Sequence, residues 1–139
     1  MKLNEISKLD INSEFFENII DILIDTVFIF DPKTKKALKW NKAFREVSGY
    51  TDVEISGKKA PDEWYSKEDL KKAFESTKKI QRGERITTEM SLITKNGETV
   101  PFEYAASVIT NKKEKTEYII SIGRSLTERK IIEQNLKES

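Results

Sequence analysis

The sequence predicts an α+β fold: a five-stranded antiparallel sheet with short helices packed on one face, plus flanking helices at the N- and C-terminal ends. Three features lead there. Two short strand-like runs lie close together between residues 27 and 40, several short capped helices follow, and three longer strand candidates at about 85–94, 99–109 and 117–124 close the order. Strands that come early and late in the chain, with helices between them, suit a sheet whose helices gather on a single side.

Residues 1–12 lack periodicity and read as a linker or flexible lead-in. Ser13 is a suitable N-cap for a helix in which Phe15, Phe16, Ile19, Ile20 and Leu23 recur at helical spacing. That apolar face fits either packing on the domain's own core or dimerisation. Val27-Phe28-Ile29-Phe30 is a run of strand formers closed by an Asp31-Pro32-Lys33 turn. Its hairpin partner is Ala37-Leu38-Lys39-Trp40, where simple alternation places Leu38 and Trp40 on one face and Lys39 on the other.

Asn41 can cap the next helix with its side-chain oxygen, Phe44 and Val47 supply one apolar edge, and Gly49 can take the left-handed conformation that ends it. Thr51-Asp52-Val53-Glu54 then forms a capping box that opens a one-turn helix ending at Gly57. Ser66-Lys67-Glu68-Asp69 starts a longer helix, in which Leu70, Ala73, Phe74 and Thr77 follow the i, i+3, i+4, i+7 pattern up to Gly83. Lys71, Lys72, Glu75, Lys78 and Lys79 occupy its other side, as a solvated face or a docking patch. Asn96-Gly97 joins the first two long strands, and a two-residue turn there needs positive φ at both residues. Met90 and Leu92 share one face of the first of these strands, and Phe102, Tyr104, Ala106 and Val108 share one face of the second.

With 139 residues the chain fits one domain. A hydrophobic share of 37% against 35% charged residues points to a small core and a heavily solvated surface. Lys and Arg total 25 against 24 Asp and Glu, which leaves no net field to attract a phosphate backbone or anionic lipid, so neither nucleic acid nor direct membrane contact is expected. No run approaches the roughly 20 apolar residues of a membrane span, and Met1-Lys2-Leu3-Asn4-Glu5 lacks a signal-peptide core. A cytoplasmic location is expected, with membrane anchoring of a parent chain left open.

Histidine and cysteine are both absent. That excludes a disulfide framework, a Cys/His zinc site, a thiolate nucleophile, an imidazole base and His-ligated haem. The five glycines at 49, 57, 83, 97 and 123 are too scattered for a phosphate loop or dinucleotide fingerprint. No carboxylate pair stands out, so no catalytic or metal-binding residue is nominated and this stretch of chain is not expected to be an enzyme.

The block from Trp40-Asn41-Lys42-Ala43-Phe44 through Gly49-Tyr50-Thr51, the small helix closing at Gly57, the Asn96-Gly97 hairpin and the terminal Thr127-Glu128-Arg129-Lys130 together resemble a PAS domain, from about Phe15 to Lys130. The resemblance implies a sensor unit over 13–125 and the start of a C-terminal signalling helix over 126–139. It also implies a sensory and interaction module of a larger signalling protein such as a histidine kinase in a two-component system, in which a ligand or redox group alters packing against the sheet and the last strand passes the change to a helical linker. Its effector would be another domain of the parent chain.

The junction residues Arg124, Ser125, Thr127 and Glu128 are the expected relay, with Ser125 and Glu128 forming a capping box. The family usually has Asp where this chain has Ser125. Serine keeps the capping oxygen but lacks the charge that favours a helix N-terminus by about 0.3–1 kcal/mol. Beyond the junction, Arg129, Ile132 and Leu136 suit either a coiled-coil seam or a helix packed on its own domain.

The ligand-binding residues expected from the resemblance and from strand alternation are Trp40, Phe44, Phe74, Met90, Leu92, Phe102, Tyr104, Ile120 and Ile122. The ligand's identity is not legible. Photoactive members of the family bond flavin through a cysteine and an oxygen-sensing group holds haem through a histidine, so this chain suits neither. A non-covalent flavin near Trp40 and Trp64, or a small apolar molecule, remains compatible with these residues. The alternative is a ligand-free dimerisation and protein-interaction module whose interior those side chains fill. A homodimer would form through the N-terminal helix, the outer face of the sheet or the C-terminal helix.

Overall fold

Thr26–Phe30 (β1) and Thr116–Ser125 (β5), one near each end of the fold, lie side by side at the centre of the sheet. The computed structural model describes residues 11–127 and 135–136. The remaining elements are the helices α1 (Ile11–Ile22), α2 (Lys42–Ser48), α3 (Asp52–Ser56) and α4 (Lys67–Gln81), and the strands β2 (Ala37–Trp40), β3 (Ile86–Ile93) and β4 (Thr99–Asn111). The order across the sheet is β2-β1-β5-β4-β3, antiparallel throughout. This is the expected α+β architecture. Glu128, Arg129 and Ile132, and with them half of the expected capping box and the seam beyond it, lie outside the described residues.

Antiparallel pairing fixes which side chains share a face. One row runs Thr26, Gly123, Tyr104, Thr88, and the next runs Phe28, Ser121, Ala106, Ile86. Both rows belong to the face that carries the buried core of Phe28, Phe30, Phe44, Trp64, Ile80, Phe102, Tyr104 and Ile119. The linker between β2 and β3 supplies α2, α3 and α4, which close over this face.

Asn41 ties three elements together. It caps α2 in extended backbone, and its Oδ1 accepts from the Phe44 N–H (3.2 Å) and the Val27 N–H (2.9 Å). Its Nδ2 donates to the carbonyls of Ile20 (2.7 Å) and Asp25 (2.9 Å). A side-chain amide offers two acceptor sites and two donors, so the capacity of this fully buried group is used completely. The C-terminal end of α1, the start of β1 and the start of α2 therefore meet at one residue. Gly49 ends α2 at φ 78°, as its sequence position predicts. The Thr51–Glu54 capping box forms in both directions. The Thr51 backbone N–H, and after it the Lys95 ammonium, hold the Glu54 carboxyl down at about 2.

Three local expectations need correction. In β2 the register shifts opposite Ile29/Phe30, so Ala37 pairs with Phe30 and Trp40 with Phe28, and Leu38 is the extra residue, left exposed. The Asn96-Gly97 turn carries positive φ only at Gly97. Gly97 N–H donates to Thr94 O and Thr94 N–H to Glu98 O, which makes a type I turn followed by a left-handed glycine and a bulge, one residue longer than the two-residue turn. In α1, which starts at Ile11, Ile20 is buried and Phe16 half-buried, but Phe15, Ile19 and Ile22 point away from the domain.

Replacing Asn41 tests its place in the fold. Asn41→Ala should cost about 2–4 kcal/mol in urea unfolding, since it removes a cap and strands buried amides and carbonyls. Asn41→Asp keeps the two acceptor bonds but turns an oxygen toward two carbonyls. It should be comparably destabilised at neutral pH and recover as the carboxyl protonates in acid; an unchanged midpoint in both variants would contradict this account.

Candidate ligand cavity and output junction

Between the two rows of the sheet and α4 lies a cavity of about 60 Å³. Its walls follow from local structure. From α4 come Ala73, Ser76, Thr77 and Ile80, one helical face at i, i+3, i+4, i+7. From the sheet come Thr26, Phe28 and Phe30 on β1, Thr88 and Met90 on β3, Tyr104 and Ala106 on β4, and Ile119 and Ser121 on β5. Phe44 of α2 and the segment Ala60, Pro61, Trp64 and Tyr65 complete it.

The lining is a mixture of two chemistries. One part is aromatic and aliphatic: Phe44 packs 4.7 Å from Phe28 and 5.0 Å from Trp64, centroid to centroid. The other part is a minor share of the exposed surface: Thr26, Tyr65, Ser76, Thr77, Thr88, Tyr104 and Ser121 carry hydroxyls, and those of Thr26 and Thr77 already donate to Gly123 O (3.4 Å) and Ala73 O (2.9 Å). No charged side chain lines the cavity among the described residues. Trp64 is 2% exposed, and its indole Nε1–H has no hydrogen-bond partner among the described residues. Buried polar groups are normally paired, so that donor is an exception in need of an explanation.

Gly123 allows the Tyr104 ring to lie where it does. A Cβ at Gly123 would stand 2.6 Å from Thr26 Oγ1 and 2.7 Å from Tyr104 Cε1, well inside contact distance. The ring therefore lies across the backbone of its cross-strand partner. Tyr104 stacks on Phe102 (5.4 Å, 20°) and meets Tyr65 edge to face (5.9 Å, 87°). Burial pushes both phenols well above the usual tyrosine range, and the neighbouring phenol adds to the rise at Tyr104.

Of the nine residues the sequence nominated, Phe44, Met90 and Tyr104 line the cavity. Leu92 and Phe102 are buried on the same sheet face but lie beyond the cavity walls. Trp40 stacks on Phe28 near the sheet edge, its Nε1–H donating to Asp52 Oδ1 at 2.7 Å. Phe74 sits one residue off the inward stripe of α4 and is 42% exposed, beneath the Lys35 ammonium. Ile120 and Ile122 are on the opposite face of β5, paired with Ile29 and Val27; Ile119 and Ser121 take the inward positions. In the run Ile119-Ile120-Ser121-Ile122 both parities include an isoleucine, so alternation could not choose between them. The strand residues Thr26, Thr88 and Ser121 were missed because a polar side chain in a strand reads as a solvent-facing one.

At the far end of β5, Ser125 pairs with Phe102, and its Oγ accepts from the Thr127 N–H (3.3 Å). Arg124 is exposed and pairs loosely with Asp25 (3.6 Å), an ion pair of the kind worth about 0–1 kcal/mol. The residue that the sequence reading passed over is Leu126. Its side chain is 4% exposed, and its N–H donates to Pro101 O (2.9 Å), which fixes the chain immediately after the strand to β4.

A family profile described as the PAS fold matches residues 14–126. The chain belongs to the PAS family. Similar solved structures include a domain of the sensory box sensor histidine kinase/response regulator from Geobacter sulfurreducens, 25% identical, with a TM-score of 0.65 over 84% of this chain and 96% of that one. The PAS domain of an HTR-like protein from Haloarcula marismortui shares 17% identity and a TM-score of 0.71 over 89% and 99% of the two chains. The LOV protein of Rhodobacter sphaeroides shares 14% identity and a TM-score of 0.67 over 82% and 66%. Curated proteins gave no match. The cavity is therefore the interior of a PAS domain, and Ser125–Thr127 is where the chain leaves its sheet.

Gly123→Ala should lower stability by about 1–3 kcal/mol, as overpacking does, and displace the Tyr104 ring. A phenol that ionises less readily when folded contributes its full stabilisation below the unfolded value of 10 and loses it as pH rises beyond that. Alkaline absorbance titration of the wild-type chain should show a phenol, lost in Tyr104→Phe, that ionises only well above 10, and Gly123→Ala should bring it down. A glycine variant with wild-type stability and titration would refute the close approach.

Proposed function

We propose that this PAS domain is a cytoplasmic sensor that takes a small ligand into its cavity and passes a packing change to a C-terminal helical linker of a larger signalling protein, such as a histidine kinase. The sensor unit is taken as residues 13–125 and the output segment as 126–139. Similarity to a domain of a sensor histidine kinase/response regulator supports the choice of parent.

One observation carries the reading. Tyr104, a wall of the cavity, stacks on Phe102, and Phe102 pairs with Ser125, the last residue of β5 and the first of the junction. Ser121 touches the cavity four residues earlier on the same strand. A ligand that shifts Tyr104 or Ser121 thus acts on two routes into Ser125–Leu126. The relay rests on packing and hydrogen bonds, because Arg124 is exposed and Ser125 is neutral.

The size of the cavity bears on the cofactor. Sites that enclose drug-sized ligands run to about 300–1,000 Å³, several times the space here. Although a LOV protein shares the fold, a flavin would require the interior to be rebuilt. A small molecule fits this interior better. The domain has no nominated nucleophile or base, and the reading is of a non-catalytic module.

Hydrogen exchange tests the relay. Occupying the cavity should change protection at residues 119–127, and Phe102→Leu should leave binding intact while reducing the response at Leu126 and Thr127. Occupancy without any change beyond residue 121 would reject it.

A dimerisation role is favoured by a separate observation. Phe15, Ile19 and Ile22 form an exposed apolar strip on α1, with Ile22 78% and the following Ile24 95% exposed, and Ile122 is partly exposed on the outer sheet face. Such a strip is the usual mark of an association surface. Light scattering should give a homodimer that Ile22→Glu converts to monomer; a monomeric wild-type chain at high concentration would remove this role.

A further inference from the structure

We infer that the cavity takes a dry, apolar occupant: an uncharged molecule without hydrogen-bonding groups, on the order of two or three non-hydrogen atoms in size, the class of the apolar gases and the shortest hydrocarbons. This rests on the reading of the cavity as the sensor's input and narrows what that input can be.

The walls decide the chemistry. Most of the surface open to the cavity is apolar, with Phe28, Phe44, Ile80, Met90, Ala106 and Ile119 among its sources, and no lining residue among those described carries a charge. An ion would be stripped of water there with nothing to pair with. The aromatic rings and the Met90 thioether are polarisable, so dispersion supplies the attraction for an apolar guest.

The polar groups in the same walls are mostly engaged. Thr26 Oγ1 donates to Gly123 O (3.4 Å), Thr77 Oγ1 donates to Ala73 O (2.9 Å), and the Tyr65 and Tyr104 phenols bond to each other. The Trp64 Nε1–H is sealed inside the wall, out of reach of anything in the cavity. Ser76, Thr88 and Ser121 remain, one on each of α4, β3 and β5. Thr88 and Ser121 belong to different rows and have β4 between them, which sets their backbones roughly 10–12 Å apart by strand spacing and rise. No point in the cavity therefore gathers free hydroxyls for the roughly three hydrogen bonds that an enclosed water makes, and an apolar cavity of this kind stays dry.

Size sets the upper limit. A cavity of about 150 Å³ holds benzene, and the 60 Å³ here is less than half of that, room for about two or three non-hydrogen atoms.

The test uses methyl proton–carbon correlation spectra of the labelled chain, following Ile80, Ala106 and Ile119 at the cavity, with Ile120 and Ile122 on the opposite face of the sheet as references. Xenon and propane are the apolar probes, ethanol is the polar match to propane in size, and benzene is the oversized one. Xenon and propane should shift the cavity methyls saturably, ethanol should bind about tenfold or more weakly than propane, and benzene should be excluded. Ala106→Leu, which fills the cavity, should abolish the shifts; if it does not fold, Ala73→Val serves the same purpose. Hydrogen exchange under xenon reads the input role separately. Ethanol binding as well as propane, or benzene entering, overturns the occupant class and leaves the cavity as the input. Xenon shifts without altered protection beyond residue 121 support the class and remove the input reading. No response to any probe, or responses that survive cavity filling, overturns both.

Discussion

The buried amide of Asn41 is the constraint on which the rest of this molecule depends. Four hydrogen bonds from one side chain join the C-terminal end of α1, the first residues of β1 and the first turn of α2. Because the group is fully buried, losing one partner leaves another stranded, and the arrangement behaves as a unit. It sets where β1 begins, so it sets the register of Thr26 and Phe28 against β5. Those two residues head the rows that form the cavity floor.

The cavity and the exit from the domain are built on a shared strand. β5 contributes Ile119 and Ser121 to the interior, gives up a side chain at Gly123 so that Tyr104 can lie across it, and ends at Ser125, where Leu126 is buried and bonded to Pro101. A central strand has neighbours on both sides, so displacement at one point is carried along its length more readily than into solvent. The glycine joins the two regions: the ring it admits is at once a cavity wall and the stacking partner of the residue opposite Ser125. Surface charge plays little part. The Arg124–Asp25 pair at the junction and the Lys42–Glu46 pair on α2 are largely exposed, and screening leaves such pairs weak.

Much of the fold was legible in the chain because its signals are local. The Asn41 cap, the left-handed Gly49 and the Thr51–Glu54 box each act within a few residues, and each forms where the residue types place it. The three long strands follow the apolar runs closely. Legibility fell where the deciding neighbour is distant. Leu38 alternates correctly on paper, but the pairing of β2 with β1 makes it a bulge. Phe74 has the more apolar side chain, yet the inward stripe of α4 runs through Ala73, Ser76, Thr77 and Ile80, and Phe74 falls one position outside it.

Composition and local pattern alone were enough to predict an α+β architecture and to exclude histidine and cysteine chemistry, while the sensory reading came with the resemblance to PAS domains, since backbone conformation and the presence of a reactive group are properties of short stretches or of single residues. The face each β5 residue takes, the set of residues that walls the cavity, the isolated Trp64 donor and the anchoring of Leu126 came only with the assembled domain. Each of these depends on which segment from elsewhere in the chain packs opposite, and a two-residue periodicity fits either parity until the partner strand is in place.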